Sequence, residues 1–408
     1  MKFNKWTVGL AAIGVVSLAS AARADETNMV MTALSTTSLS GYVDVAATWR
    51  PGTDSGPANR GGNLPAYAFS KNDGFSLNAV DIALDKPQDE SPWAAGYHVE
   101  LMFGPDATPA SGGSTTANIR QAYVTLRTPV GNGIDWKVGV FDTIIGYEST
   151  SDPLNPNYTR SYGYSIEPTT HTGVLATYKV NDVLALSAGV ADSSNIATGT
   201  PAINGTSTFE SQKTYLGLIT LTAPDSFGPM KGATLTMGAI NSVDSAVSGA
   251  GTRSDYYAGL TLPTPSSKVK FGAAFDYLNF NNNGGGNHDD SIWVAGLYST
   301  ISPTDKLSFN FRGEVVDATQ IGSALGSPNP LPSPVNDAYY AGGFYAGHYA
   351  GELTATVQYK LWANVLSRVE FRWDHVDGNA FGYNSTAGGG LPIKENDFLL
   401  ALNLIYQF

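Results

Sequence analysis

From Leu39 onward, apolar and polar side chains alternate with a period of two. That is the repeat of an extended strand with one greasy face and one wet face. Leu39, Gly41, Val43, Val45, Ala47 and Trp49 share one face, against Ser40, Tyr42, Asp44, Ala46 and Thr48. Later in the chain, Leu307, Phe309, Phe311 and Val315 oppose Ser308, Asn310, Arg312 and Glu314. Val365, Val369, Phe371 and Trp373 likewise oppose Arg368, Glu370, Arg372 and Asp374. The final run sets Phe398, Leu400, Leu402, Leu404, Tyr406 and Phe408 on one side.

Sixteen segments carry the pattern: 39–49, 75–86, 94–104, 118–127, 134–143, 171–179, 183–192, 212–222, 232–241, 254–262, 268–279, 290–300, 306–317, 347–360, 365–376 and 396–408. The second, sixth and twelfth are the least regular, so fourteen or eighteen strands stay open. Connections after even-numbered segments are short and carry Pro, Gly, Asn or Asp, the residues of tight turns. Those after odd-numbered segments are long: 50–74, 105–117, 144–170, 193–211, 242–253, 280–289, 318–346 and 377–395. Short periplasmic turns and long outer loops are the signature of an up-and-down transmembrane β-barrel. The expected fold is therefore all-β, an antiparallel barrel of about 16 strands over 39–408.

A soluble sandwich also alternates. Three features favour the membrane. The segments are long enough for a tilted bilayer crossing. Most of the Trp residues at 49, 93, 136, 293, 362 and 373 fall near predicted strand ends, as an interfacial girdle requires. Charges of both signs occupy mid-strand positions on the polar face, which a dry sandwich core would not tolerate.

Composition agrees. Only 14% of the 408 residues are charged, below the roughly 25% of soluble domains. One long apolar run exists, at the N-terminus, which excludes a bundle of spanning helices. That run follows Lys2 and Lys5 and ends at Ala22-Arg23-Ala24, the pattern of an export signal cleaved after Ala24. Loss of Lys2, Lys5 and Arg23 takes the net charge from −12 to −15. An acidic exported chain is no nucleic-acid binder. Residues 25–38 lack alternation and read as a lead into the barrel. The chain has no Cys, so it carries no lipoprotein anchor.

Sixteen strands enclose more space than side chains fill, which leaves a bore for water. The connection 144–170 differs from its polar, Gly-rich counterparts by mixing aromatics, Pro and both charge signs. It is expected to fold inward and narrow the bore. Its constriction candidates are Glu148, Asp152, Arg160, Glu167 and His171; wall candidates are Asp44, Glu100, Arg312, Glu314, Glu352, Arg368, Glu370 and Arg372. Selectivity in such a pore comes from width and from charged side chains near the narrowing. The surplus of acid points to a weak cation preference. The wall Arg/Glu pairs also fit purely structural ladders.

The stretch Gly146-x-Glu148, then Asn155-Pro156-Asn157-Tyr158-Thr159-Arg160-Ser161, through His171-Thr172-Gly173-Val174 resembles the OmpL-like β-barrel porins of Gram-negative bacteria. So do Phe75-Ser76-Leu77-Asn78, Leu84-Asp85-Lys86-Pro87, Gln121-Ala122-Tyr123-Val124 and the paired Arg-x-Glu strands. The resemblance spans nearly the whole mature chain. It implies a pore in the outer membrane and names no solute. The ending Tyr406-Gln407-Phe408 resembles the C-terminal signature of outer-membrane barrels, which implies that Phe408 serves recognition by the assembly machinery.

The expected function is passive diffusion of small hydrophilic solutes or ions. No cofactor is expected, and no Gly-x-x-x-x-Gly-Lys-Ser/Thr motif is present to bind ATP. The expected surroundings are outer-membrane lipid and lipopolysaccharide, with a homotrimer possible by analogy alone. Two alternatives stand beside the pore. One is a plugged barrel of structural or adhesin type. The other is a barrel hydrolase, for which five scattered His residues supply no nucleophile at defined spacing.

Overall fold

The computed structural model describes residues 37–51, 73–107, 119–192, 213–244, 251–266, 268–282, 288–319, 349–378, 381–383 and 392–408. The expected leader 1–24 and nearly all of the lead 25–38 lie outside them, as does the bulk of most long connections.

Sixteen strands close into one barrel. They are β1 (Ser38–Trp49), β2 (Gly74–Lys86), β3 (Ala95–Phe103), β4 (Ile119–Thr128), β5 (Ile134–Asp142), β6 (Thr170–Lys179), β7 (Leu184–Asp192), β8 (Lys213–Thr222), β9 (Thr234–Asp244), β10 (Gly251–Pro263), β11 (Val269–Asn282), β12 (His288–Ile301), β13 (Leu307–Asp317), β14 (Tyr349–Trp362), β15 (Val365–Val376) and β18 (Asn396–Gln407). Each pairs antiparallel with its neighbours in sequence, and β18 closes the ring on β1. At the seam Tyr42 faces Gln407 and Trp49 faces Leu400. All sixteen predicted segments are present, with ends shifted by a few residues. Among the elements not foreseen, β16 (Phe381–Tyr383) and β17 (Pro392–Lys394) pair outside the barrel sheet.

The two faces are those the alternation predicts. Leu297, Leu353, Val315 and Leu402 point outward with 53–70% of their surface bare. An apolar belt of that extent belongs against lipid. Trp side chains on it keep their N–H groups occupied: Trp136 donates to Thr128 at 3.1 Å and Trp373 to Asn396 at 2.9 Å. The opposite face points inward and carries the charges. Among the described residues no helix is long and apolar enough to cross a membrane; strands make the crossing.

Candidate pore constriction

The chain leaves β5 at Asp142 and rejoins the wall at Thr170. What lies between turns inward and runs along the inner wall. Ile144 and Ile145 start it by packing on Leu175, Leu216, Leu218 and Ile240, apolar groups of the inner face. Space for them comes from missing side chains: a Cβ at Gly238 would meet Ile145 at 2.5 Å, and one at Gly272 would strike the Tyr147 hydroxyl. Tyr147 stacks on Tyr298 of β12 with ring centroids 4.0 Å apart. Gly146 turns the chain between them at φ 114°, a conformation glycine alone adopts freely.

Beyond Tyr147 the segment is held by charges on the far wall. Arg312 on β13 reaches Glu148 at 2.7 Å and also donates to the Thr159 carbonyl at 2.7 Å. Glu370 on β15 accepts the backbone N–H groups of Tyr158 (2.5 Å) and Thr159 (2.9 Å). Glu314 does the same for Tyr162 (2.6 Å) and Gly163 (3.2 Å). Arg372 donates to the Arg160 carbonyl at 2.6 Å, and Arg368 to the carbonyls of Asp152 and Asn155. A loop cannot be buried unless its backbone groups find partners. Here the wall charges supply them, as charge-assisted bonds, the stronger kind.

Inside the segment a short helix, α1 (Tyr162–Ile166), starts at Ser161, whose hydroxyl accepts the Tyr164 N–H at 2.9 Å. Tyr162 and Ile166 insert among Leu278, Ile292, Val294 and Val316. Tyr162 also donates its hydroxyl to Asp374 at 2.5 Å. Earlier in the segment, the Asp152 N–H donates to Tyr42 on β1 at 3.3 Å. Tyr158 packs near Ala46 and Ala401. The inner segment thus covers the wall from β6 round to β15, β18 and β1. On the β2 to β5 wall Asp81, Glu100, Met102 and Arg120 are buried, while Thr125, Asp135, Lys137 and Asp142 on β4 and β5 remain partly exposed.

The predicted residues divide into three groups. Glu148, Asp152, Arg160, Arg312, Glu314, Glu352, Arg368, Glu370 and Arg372 form one connected network, all buried. In it Arg312 binds Glu352 at 2.8 Å, and Arg160 binds Asp152 at 2.6 Å inside the segment itself. The two Arg-x-Glu strands are linked through Glu352 on the strand between them, since Arg372 lies 3.7 Å from that carboxylate. Glu167 and His171 sit at the returning foot of the segment; His171 is 3.1 Å from the Thr143 hydroxyl. Asp44 and Glu100 belong to other parts of the wall. Asp44 accepts from Asn78 (2.6 Å) and Asn403 (2.7 Å). Glu100 takes Arg120 at 2.5 Å and Gln121 at 2.8 Å.

Electrostatics within the segment follow from burial. For Arg160 burial opposes the charge, but the Asp152 carboxylate outweighs it and holds the guanidinium above its usual range. Glu167 goes the other way. Burial, and then the Asp276 carboxyl facing it from β11, push its carboxyl well above the usual range.

Several inner groups escaped the sequence reading. A bulge in the β3–β4 pairing, between Glu100 and Leu101, turns Arg120 and Gln121 both inward. Strict alternation would have sent one of them out to lipid. Arg120 then bridges Glu100 and Asp142, the latter at 2.7 Å. Next to it, Lys137 on β5 stands 4.8 Å from the centre of the Tyr123 ring, and His98 stacks on that ring at 5.2 Å. Arg253 on β10 binds Asp255 at 2.5 Å and the Ile166 carbonyl at 2.6 Å. Among the described residues no group of three or more His, Asp or Glu is arranged to hold a metal ion.

Known structures share the architecture. OmpT of Vibrio cholerae is similar over 93% of this chain and 100% of its own, at 12% identity and a TM-score of 0.56. The anion-selective porin from Comamonas acidovorans matches over 91% and 99%, at 12% identity and a TM-score of 0.57. The outer membrane channel DcaP of Acinetobacter baumannii matches over 91% and 97%, at 14% identity and a TM-score of 0.57. At such identities the likeness concerns the fold. No curated protein sequence matches the chain. The model of one family does, across residues 36–408, and the chain belongs to that family, described as "Putative beta-barrel porin-2, OmpL-like".

Proposed function

We propose that the chain is an outer-membrane porin passing small hydrophilic solutes or ions by passive diffusion. The bore is narrowed by the segment 144–170. One observation carries this reading. The inner segment is held against the far wall by buried charges, while Thr125, Asp135, Lys137 and Asp142 on β4 and β5 stay only partly buried on the inner face. In this reading Glu148, Asp152, Arg160, Glu167 and His171 set the constriction by holding the segment's shape, with the wall charges gripping it from behind. The similar proteins described as an anion-selective porin and an outer membrane channel support the same class. Export through the leader 1–24, assembly through Phe408, a trimeric state and a weak cation preference belong to this proposal.

A plugged barrel is the second reading. It is favoured by the burial of Glu148, Asp152 and Arg160, each under 5% exposed. Recording from purified protein in planar bilayers separates the two. Stepwise ohmic currents are expected from a porin, and silence at every voltage would replace the porin with the plug.

A further inference from the structure

Uncommitted positive charge is rare on the inner wall. Arg120, Arg127, Arg253, Arg312 and Arg372 each lie within 3 Å of a carboxylate. Arg368 is spent on backbone carbonyls. Lys270, the second residue of β11, is exposed at the short-turn rim. Away from the rims, Lys137 is the one inward-facing lysine or arginine among the described residues that makes neither a hydrogen bond nor an ion pair.

Its direction is fixed by register. On β4 and β5, Thr125 faces Lys137 and Arg127 faces Asp135, with Val124 and Val138 on the lipid side. The carboxylates around it are already engaged. Asp142 is held by Arg120, Asp135 by Arg127 at 2.6 Å, and Asp85 by His98 at 3.1 Å. Lys137 is half-buried, and its ammonium rests on the Tyr123 face rather than on an acid. A cation over an aromatic face is attracted by the ring quadrupole and gains no counter-charge from it. Its neighbours on the same wall, Thr125, Asp135 and Asp142, are likewise only partly buried.

We infer that Lys137, with the Tyr123 ring beneath it, is a contact point for anionic solutes of the carboxylate class passing along the wall of β4 and β5. The inference rests on the porin reading. It makes Lys137 the residue that lets anions through an otherwise acidic bore.

The test is reversal potential in planar bilayers across a KCl gradient near 0.1 M, with wild type, Lys137→Gln, Lys137→Arg and Lys270→Gln. Lys137→Gln is expected to cut the chloride-to-potassium permeability ratio by about twofold or more. Lys137→Arg retains it, and Lys270→Gln changes it less. The difference should shrink near 1 M salt, where charges are screened within about 3 Å. Benzoate, as carboxylate probe, should reduce wild-type current and leave the Lys137→Gln current unaffected. An unchanged ratio in a conducting Lys137→Gln barrel overturns the inference, and so does an equal shift from Lys270→Gln. A wild type that never conducts defeats the porin reading instead. Benzoate binding to detergent-solubilised protein, followed by saturation-transfer NMR, then decides on Lys137 separately: loss of binding in Lys137→Gln supports the contact, and retention overturns it.

Discussion

Arg312 and Glu148 meet at 2.7 Å across the inside of the barrel, one on the wall and one on the inner segment, with both side chains fully shielded from water. Removing one partner of such a pair strands the other charge in a poorly solvating place, at a cost of about 3–5 kcal/mol. Arg312→Met is therefore expected to lower the thermal midpoint of the barrel, read as the loss of heat-modifiable migration on gels. It should also free the segment and raise open-channel noise. The double variant Arg312→Met/Glu148→Met should recover part of the loss, because the two effects are coupled. Full additivity would show that the pair does not hold the segment.

Glu167 gives the segment a pH dependence. Its folded-state carboxyl is raised, first by burial and then by Asp276. The folded chain therefore keeps a proton that the unfolded chain releases near pH 4.3. The stabilisation is complete below that pH and is lost as pH rises through the folded value. Glu167→Gln should equal wild type in urea midpoint at pH 4 and exceed it at pH 8. Parallel curves across that range would contradict this account.

At Gly146, φ is 114° and a Cβ would run into the Glu167 carboxylate. Gly146→Ala should cost about 1–3 kcal/mol, the range for a residue forced into sparsely populated backbone geometry. Thermal midpoints of the refolded barrel check it. A neutral substitution would mean the turn relaxes freely.

Phe408 and Gly41 exchange both backbone hydrogen bonds, each 3.0 Å long, at the seam of the barrel. If the terminal Phe is an assembly signal, Phe408→Ala should reduce the amount of inserted barrel in cells. Refolding of the same variant from urea into detergent should proceed as for wild type. Equal losses in both settings would mark it as a purely structural residue.

The strands were legible because membrane crossing demands a strict two-residue period over long runs, and few other folds impose it. The inner segment was legible by contrast, since Ile144, Tyr147, Tyr158 and Tyr162 have no place in a solvated loop. Its partners were not. Periodicity says that Arg312, Glu314 and Glu370 face inward but not what they touch, and their contacts lie more than 150 residues away in sequence. Arg120 was missed for a different reason: a single bulge breaks the alternation that reading by period assumes. The helix Tyr162–Ile166 was missed because one turn is too short to show a 3.6-residue repeat.

The inner segment and the strands that grip it lie far apart along the chain. The inner segment is synthesised long before the wall that grips it, and 212 positions separate Tyr158 from Glu370. Strands β13 to β15 hold the charges that satisfy this span, so its backbone groups find their partners only once those strands are in place. A nascent barrel halted before β13 would leave its central span with most of its polar backbone unclaimed.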